Sequence, residues 1–270
     1  MPSKPKGKPA PPPNAQSAAP PVGPSSTPPN VHPSPPTARA PAPWDGVEDV
    51  VTLPIDQQAP VSPFIPPKTS MKVREVNLRG PHILLVPLRA DHVRYLFPDA
   101  LEPGLFQHLE PGTEGGLKPL REWIARRVEE ANQGTALPFL QVDPARRKAF
   151  GCTSIFNISP AHFRCEVGHT WLCKSHRGTT ANAEAKLLLL THIFEEMGAI
   201  RVQFKADTRN EAAVRSLERM GAVREGRMRS ERVLSDGYIR DAYVYSVIRS
   251  EWPAVKTRLN GLIWGSGAAA

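Results

Sequence analysis

Between Glu166 and Lys186 the chain reads EVGHTWLCKSHRGTTANAEAK, the stretch richest in residue types that can do chemistry. A strand-like run ends near Cys173, a turn of small and polar residues follows, and a long helix begins near Ala181. The first backbone N–H groups of such a helix have no partner within it, and its dipole places partial positive charge there. Arg177, Gly178 and Thr179 stand immediately before it. That order predicts an anion site suited to phosphate or pyrophosphate, although an ordinary capped helix shows the same pattern. Neither GxxxxGK(S/T) nor GxGxxG occurs, so the nucleotide loops those patterns build are excluded.

His162, Cys165, His169, Cys173 and His176 imitate a set of zinc ligands. On a strand rising ~3.3 Å per residue, Cys165 and Cys173 stand about 26 Å apart, so one ion cannot reach both and no metal is expected. No histidine pairs with a cysteine in a recognisable nucleophile signature, and small buried thiols account for Cys152, Cys165 and Cys173. Arg224, Arg227, Arg229 and Arg232, with Arg215 and Arg219 on the preceding helix, form a basic cluster. Without interleaved aromatics it reads as a solvated face or as steering for an anionic ligand, and a nucleic-acid partner is not expected. Asp241, in IRDAYVYS, reads as a structural acid, with a substrate-pocket acid as the alternative.

A folded body has to place these residues. The chain has 270 residues, 40% hydrophobic and 22% charged, with net charge +8 and pI near 9.6. No run of about 18 apolar residues exists, so no membrane span is expected. Three cysteines are too few for a disulfide scaffold, which suits a reducing, cytoplasmic setting. Most of the 31 prolines precede residue 71. The opening segment, from MPSKPKGKPAPPP to ARAPAP, cannot bury enough apolar surface to offset its ordering entropy. Residues 1–70 are therefore expected to be a disordered proline-rich leader, its later part an extended arm anchored through residues such as Trp44, Phe64 and Ile65.

From Pro81 onward the hydrophobic spacing predicts a mixed α/β (α+β) domain. Strands are expected at His82–Leu88, Pro138–Val142, Phe150–Ile158, Cys165–Cys173, Arg201–Ala206, Ala222–Val233 and Ile239–Ile248, the last two joined around Asp236-Gly237. Helices are expected at Ala90–Phe97, Lys118–Asn132, Ala181–Met197 and Glu211–Met220. The run from Leu187 to Leu190, with Ile193, Phe194 and Met197, covers more than half of its helix, which must pack on two sides.

Residues 80–255 resemble the GNAT superfamily of acetyl-CoA-dependent N-acetyltransferases, and within it the branch of ribosomal-protein N-terminal acetyltransferases (the RimJ/RimL type). The likeness rests on PLRADHVRYLF, EVGHTWL, RGTTANAEAKLLLL, DTRNEAAVRSLERMGAVREG and DGYIRDAYVYSVIRSEWP, in that order. It implies a GNAT domain over residues 71–262 with a flexible tail at 263–270: a twisted mixed sheet, helices on both faces, and splayed central strands that admit a pantetheine arm. Trp171, Leu172 and Cys173 would end the fourth strand of that fold and pair with the pantetheine amides. Arg177, Gly178, Thr179, Thr180, Ala181 and Asn182 match the family's pyrophosphate loop, Q/R-x-x-G-x-G/A. Asn210 matches the asparagine that opens the next helix and faces the cofactor arm. Thr180 stands where the family has a glycine, and a left-handed backbone there would strain it by roughly 1–2 kcal/mol. Asn182 likewise replaces glycine or alanine.

The implied reaction is attack of a neutral amine on the acetyl thioester with loss of the coenzyme A thiolate. It asks for a bound thioester, an N–H near the carbonyl oxygen, a route for the amine's proton and an acid for the sulfur. An α-amine of pKa ~7.7–8 is roughly a fifth neutral at about pH 7.2, whereas a lysine at ~10.4 is below ~0.1% neutral, so an N-terminal acceptor needs little help. In the ribosomal-protein branch a serine three residues after the Asn210 position is the proposed acid, and a glutamate late in the following strand is the proposed base. Ala213 and Arg232 stand there, with Glu231 beside Arg232 and pointing to the opposite face. Alternation places Glu166 on one face with Thr170, leaving Glu166 and Glu231 as candidate catalytic carboxylates. The expected activity is acetyl transfer from acetyl-CoA to a primary amine, a protein N-terminus or a small molecule, by a monomer or homodimer. The alternatives are a non-catalytic acyl-CoA-binding or interaction module of the same fold, and a proline-rich adaptor. Loops around residues 99–117 are expected to choose the acceptor.

Overall fold

Runs of β-branched and aromatic residues build a nine-stranded sheet in the computed structural model of the chain, which describes residues 42–46, 50–52, 71–97, 99–109, 116–234 and 236–265. Most of the expected leader and arm, and residues 266–270 of the tail expected at 263–270, lie outside the described residues, whereas Ile263 and Trp264 of that tail end a helix with Ile263 buried. The strands are β1 Val50–Thr52, β2 Asn77–Arg79, β3 Leu84–Pro87, β4 Leu137–Asp143, β5 Lys148–Ser159, β6 Arg164–Leu172, β7 Arg201–Asp207, β8 Val223–Val233 and β9 Ile239–Ile248. The helices are α1 Val93–Leu96, α2 Leu117–Asn132, α3 Ala181–Thr191, α4 Glu211–Met220 and α5 Trp252–Trp264. The sheet order is β1-β2-β3-β4-β5-β6-β7-β9-β8, mixed because β6 and β7 run parallel.

Each face of the sheet carries a core. On one, Leu187, Leu190, Phe194, Leu217, Trp252 and Leu259 of the α3–α5 side cover Phe139, Phe150, Phe204 and Tyr245. On the other, Leu96, Leu120, Trp123 and Ile124 of α1 and α2 cover Leu84, Leu140 and Trp171, and Trp44 joins them edge-to-face with Tyr95. The four leucines from Leu187 to Leu190 are all fully buried, as a helix packed on two sides requires.

Three features differ from the periodicity-based reading. The expected Ala181–Met197 helix is α-helical only to Thr191 and then widens into a π-type turn, His192–Glu196. Strands β1 and β2 extend the sheet beyond its expected edge. Helix α5 was not anticipated, although Trp252, Val255, Leu259 and Ile263 recur at helical spacing and are buried, and Pro253 suits a first turn.

Two irregularities create the space for a site. β6 and β7 pair only at Arg164–Arg201, Cys165–Val202 and Glu166–Gln203. Beyond that point β6 follows β5 as far as Leu172 and β7 follows β9 as far as Asp207, so the two strands splay into a wedge. Within β6, Cys152 opposes Trp171 while Ser154 opposes Gly168, which leaves an extra residue on β6. The bulge is marked by His169 at φ +51.

Candidate functional site

The loop before α3 takes its shape from Gly178, at φ +73, and open space surrounds the position a Cβ would occupy there. Thr180 is right-handed, at φ −71 and ψ −11, so the strain expected of it is absent; the left-handed requirement falls two residues earlier, on a glycine. Thr179 Oγ1 donates to the His176 carbonyl at 2.8 Å and accepts the Ala181 N–H at 3.2 Å, bracing the turn. Asn182 Nδ2 donates to Ser216 Oγ at 2.9 Å and joins α3 to α4, while its buried Oδ1 has no partner among the described residues. Asn210 caps α4, its Oδ1 accepting the Ala213 N–H at 3.0 Å. Arg177 turns away from the loop: its Nε donates to the Leu172 carbonyl at 2.9 Å and its two terminal nitrogens hold Glu102, each at 3.1 Å.

The three residues that end β6 face different ways. The Cys173 N–H donates to the Phe150 carbonyl at 2.7 Å, and the Trp171 carbonyl lies on the β5 side beside Gly151. Main-chain groups alternate along a strand, so Thr170 and Leu172 turn theirs away from β5; the Leu172 carbonyl is held by Arg177 Nε, and the Cys173 carbonyl accepts the His176 N–H at 3.0 Å. From the other wall, Lys186 of α3 reaches between the strands. Its Nζ donates to Thr170 Oγ1 at 3.3 Å and stands 5.7 Å from the centre of the Phe204 ring. Burial lowers its pKa from 10.5 to about 8. The sequence reading passed over this residue; the signal was a lysine directly preceding the four leucines of AEAKLLLL.

The carboxylates lie on the opposite face. Alternation predicts Glu166 and Thr170 together, but the bulge at His169 inverts the strand between them: Thr170 turns to α3 and Glu166 to the α1–α2 side. Glu166 is 5% exposed and accepts from Asn157 at 3.0 Å and Gln203 at 3.2 Å. Lys205 Nζ sits 3.9 Å from Glu166 and 3.6 Å from Glu231. Glu231 was expected to point away; the irregular stretch of β8 between Met228 and Arg232, with Ser230 at φ +50, turns it onto Lys205 instead. Burial would raise the Glu231 pKa, but the Arg232 hydrogen bond and the charges of Arg232, Arg240 and Lys205 hold it below its ordinary 4.5. Nearby, Asp207 is buried on Arg209 at 2.9 Å.

An aromatic group lines the same face. Trp171 stands edge-on to Phe106 at 5.2 Å and Trp123 at 6.3 Å, and His169 lies 4.1 Å from Phe156 with Arg127 Nη1 at 2.6 Å from its Nε2. Part of the expected acceptor-selecting segment, 110–115, lies outside the described residues.

The rejected chemistries leave clear traces. All three cysteines are free and buried, and burial raises Cys165 to about 12 and Cys173 to about 11, which removes them as nucleophiles. Arg215, Arg224, Arg227 and Arg232 of the basic cluster are paired with Glu211, Glu218, Asp241 and Glu231. Asp241 also accepts the Ser230 N–H at 2.7 Å, a structural role. Among the described residues no helix is long and apolar enough to cross a membrane.

Known proteins share this architecture. Residues 82–223, more than half of the chain, match the acetyltransferase (GNAT) domain family. YdaF of Bacillus subtilis (strain 168), which bears the name of a ribosomal N-acetyltransferase, is 30% identical over 106 residues, or 39% of this chain and 57% of its own length. The match therefore spans little more than half of that relative. A crystal structure from T. thermophilus described as an acetyltransferase is 37% identical with TM-score 0.63, covering 70% of this chain and 96% of that one. A GCN5-related N-acetyltransferase from Brucella melitensis is 26% identical with TM-score 0.65, covering 72% and 88%.

Proposed function

The chain belongs to the GNAT acetyltransferase family, and from that premise we propose that it transfers acetyl from acetyl-CoA to a primary amine, at a protein N-terminus or on a small molecule. The observation that carries the reading is the wedge between β6 and β7, which opens beside the α3 N-terminus. Two details support a fit to coenzyme A: the uncrowded left-handed Gly178, and the buried Asn182 Oδ1 that lacks a donor among the described residues.

The amides of Gly178, Thr179, Thr180 and Asn182 cradle the diphosphate, favoured by the dipole of α3, while the Ala181 N–H stays on Thr179 Oγ1. The main chain of Thr170 and the Leu172 N–H bind the pantetheine arm, the Leu172 carbonyl being held by Arg177. The thioester carbonyl, as it gains negative charge, calls for a main-chain N–H on the wedge side of β6, past the last residues that pair with β7. The amine approaches from the aromatic α1–α2 face, where Glu166 accepts its proton. Glu231, held anionic by three cations, is a poor base and instead fixes Lys205. The likeness to YdaF supports a ribosomal-protein N-terminus as one acceptor. Three free, buried cysteines support a cytoplasmic setting.

A non-catalytic acyl-CoA-binding module is the second reading. It is favoured by Ala213, which puts no hydroxyl on the first turn of α4. Calorimetry with acetyl-CoA on the full chain and on Gly178→Asp tests the site: binding by the parent and its loss in the variant are expected, and no binding by the folded parent overturns the reading. Amine-dependent release of free thiol then separates enzyme from binder.

A further inference from the structure

Lys186 is a buried ammonium with few partners. Among the described residues its neighbours are the Thr170 hydroxyl, at 3.3 Å, and the Phe204 ring, at 5.7 Å, with no carboxylate in an ion pair. Burial is the one cause that shifts its pKa; no charged group of β5, β6, β7 or α4 contributes. Thr170 in turn shares a 2.8 Å hydrogen bond with Thr153. Isolated charges are costly to bury, so a cation left in this state points to an anion it meets only during function.

Its position identifies the anion. Lys186 lies inside the wedge, bridging β6 at Thr170 to β7 at Phe204, past the last paired residues Glu166 and Gln203. An arm that enters at the α3 N-terminus and runs between the strands must pass it before the wedge closes. The α4 wall supplies little competition: Ala213 and Val214 are apolar, and the Ser216 hydroxyl is engaged by Asn182.

Resting on the acetyl-transfer reading, we infer that the Lys186 ammonium receives the departing sulfur of coenzyme A, stabilising it as thiolate and returning a proton to it. As the amide forms, the C–S bond breaks and its electron pair stays on sulfur. Lys186 gives up one proton, leaving coenzyme A as the free thiol and Lys186 as a neutral amine. The acceptor nitrogen has released one proton through Glu166 to solvent, and Lys186 regains one from solvent after product leaves, so the count closes. A value of about 8 for Lys186 lies close to the ~8.5 of an alkyl thiol, the match that proton transfer favours.

The test compares coenzyme A with desulfo-coenzyme A, which lacks the thiol, by calorimetry on the full chain at about pH 8, where a free alkyl thiol begins to ionise. The parent should bind coenzyme A about tenfold more tightly than the desulfo form, and Lys186→Met should bring the two affinities together by weakening coenzyme A alone. An equal preference in parent and variant overturns the proposal. Should Lys186→Met fold poorly, the parent still decides: the bound thiol, followed by its ultraviolet thiolate absorbance, must titrate at least about one pH unit below free coenzyme A, and an unshifted thiol overturns the proposal. Failure of the parent to bind either ligand is a different result, which overturns the acetyl-transfer reading and this assignment with it.

Discussion

Glu166 and Glu231 meet through one ammonium: Lys205 Nζ stands 3.9 Å from the first and 3.6 Å from the second. Their surroundings separate their chemistry. Glu231 is held by Arg232 at 2.8 and 3.1 Å, whereas Glu166 accepts from the neutral amides of Asn157 and Gln203. Two carboxylates on one cation therefore divide into an anchor and a candidate base.

Glu166→Gln should lower kcat towards an N-terminal α-amine roughly tenfold near pH 7, with the deficit shrinking above about pH 8 as the amine deprotonates unaided. A pH–rate profile of parent and variant checks this. A constant deficit across the profile would assign Glu166 to structure.

Glu231→Gln should leave turnover within about twofold and cost about 2 kcal/mol of stability near neutral pH, because it strands buried cations. The folded carboxyl titrates below 4.5, so its stabilisation is complete above that value and is lost as pH falls through the lower folded one. Thermal melts of the two proteins should converge in acid.

Lys186 carries the opposite sign. Its pKa falls from 10.5 in the unfolded chain to about 8 in the folded one, so the folded state is penalised by up to roughly 3 kcal/mol below about pH 8. That penalty is relieved as pH rises towards 10.5. Lys186→Met should melt higher than the parent near neutral pH, with the gap narrowing in alkali.

At the α3 loop the backbone assigns different outcomes to two neighbours. Thr180→Gly should change stability by less than about 0.5 kcal/mol and leave coenzyme A affinity intact, since Thr180 is already right-handed. Gly178→Ala, at φ +73 with open space around it, should cost about 1–2 kcal/mol through strain alone. Denaturant melts of both variants measure the difference.

Gly151→Ala should be the most damaging small substitution. A Cβ there would collide with the Trp171 carbonyl oxygen, and backbone cannot swing aside as a side chain can. A loss of about 3 kcal/mol is expected, read as a drop in melting temperature.

Local signals made much of the fold legible. Asn210 caps α4 and Gly221, at φ +92, ends it, so the helix occupies the span that its sequence predicts, Glu211–Met220. The Asp236-Gly237 turn and the strand-like runs on either side locate β8 and β9. The strand–loop–helix order identifies the loop at Gly178 before any coordinates, because a helix N-terminus is a property of the adjacent chain. Helix α5 was equally readable from its apolar spacing.

Tertiary structure alone decided which side chains share a space. Nothing in EVGHTWL marks His169 as the bulge; that comes from the register between β5 and β6, and it separates Glu166 from Thr170. Glu231 shares Lys205 with Glu166 only because the sheet runs β6-β7-β9-β8 and the irregularity in β8 turns it onto that lysine. Lys186 faces a wedge because β6 and β7 stop pairing beyond Glu166 and Gln203. Periodicity reports which face a residue occupies on its own element, and a single inserted residue reverses that assignment for everything beyond it. The reversal is set by hydrogen bonds to a neighbouring strand, which is information that the local sequence does not carry.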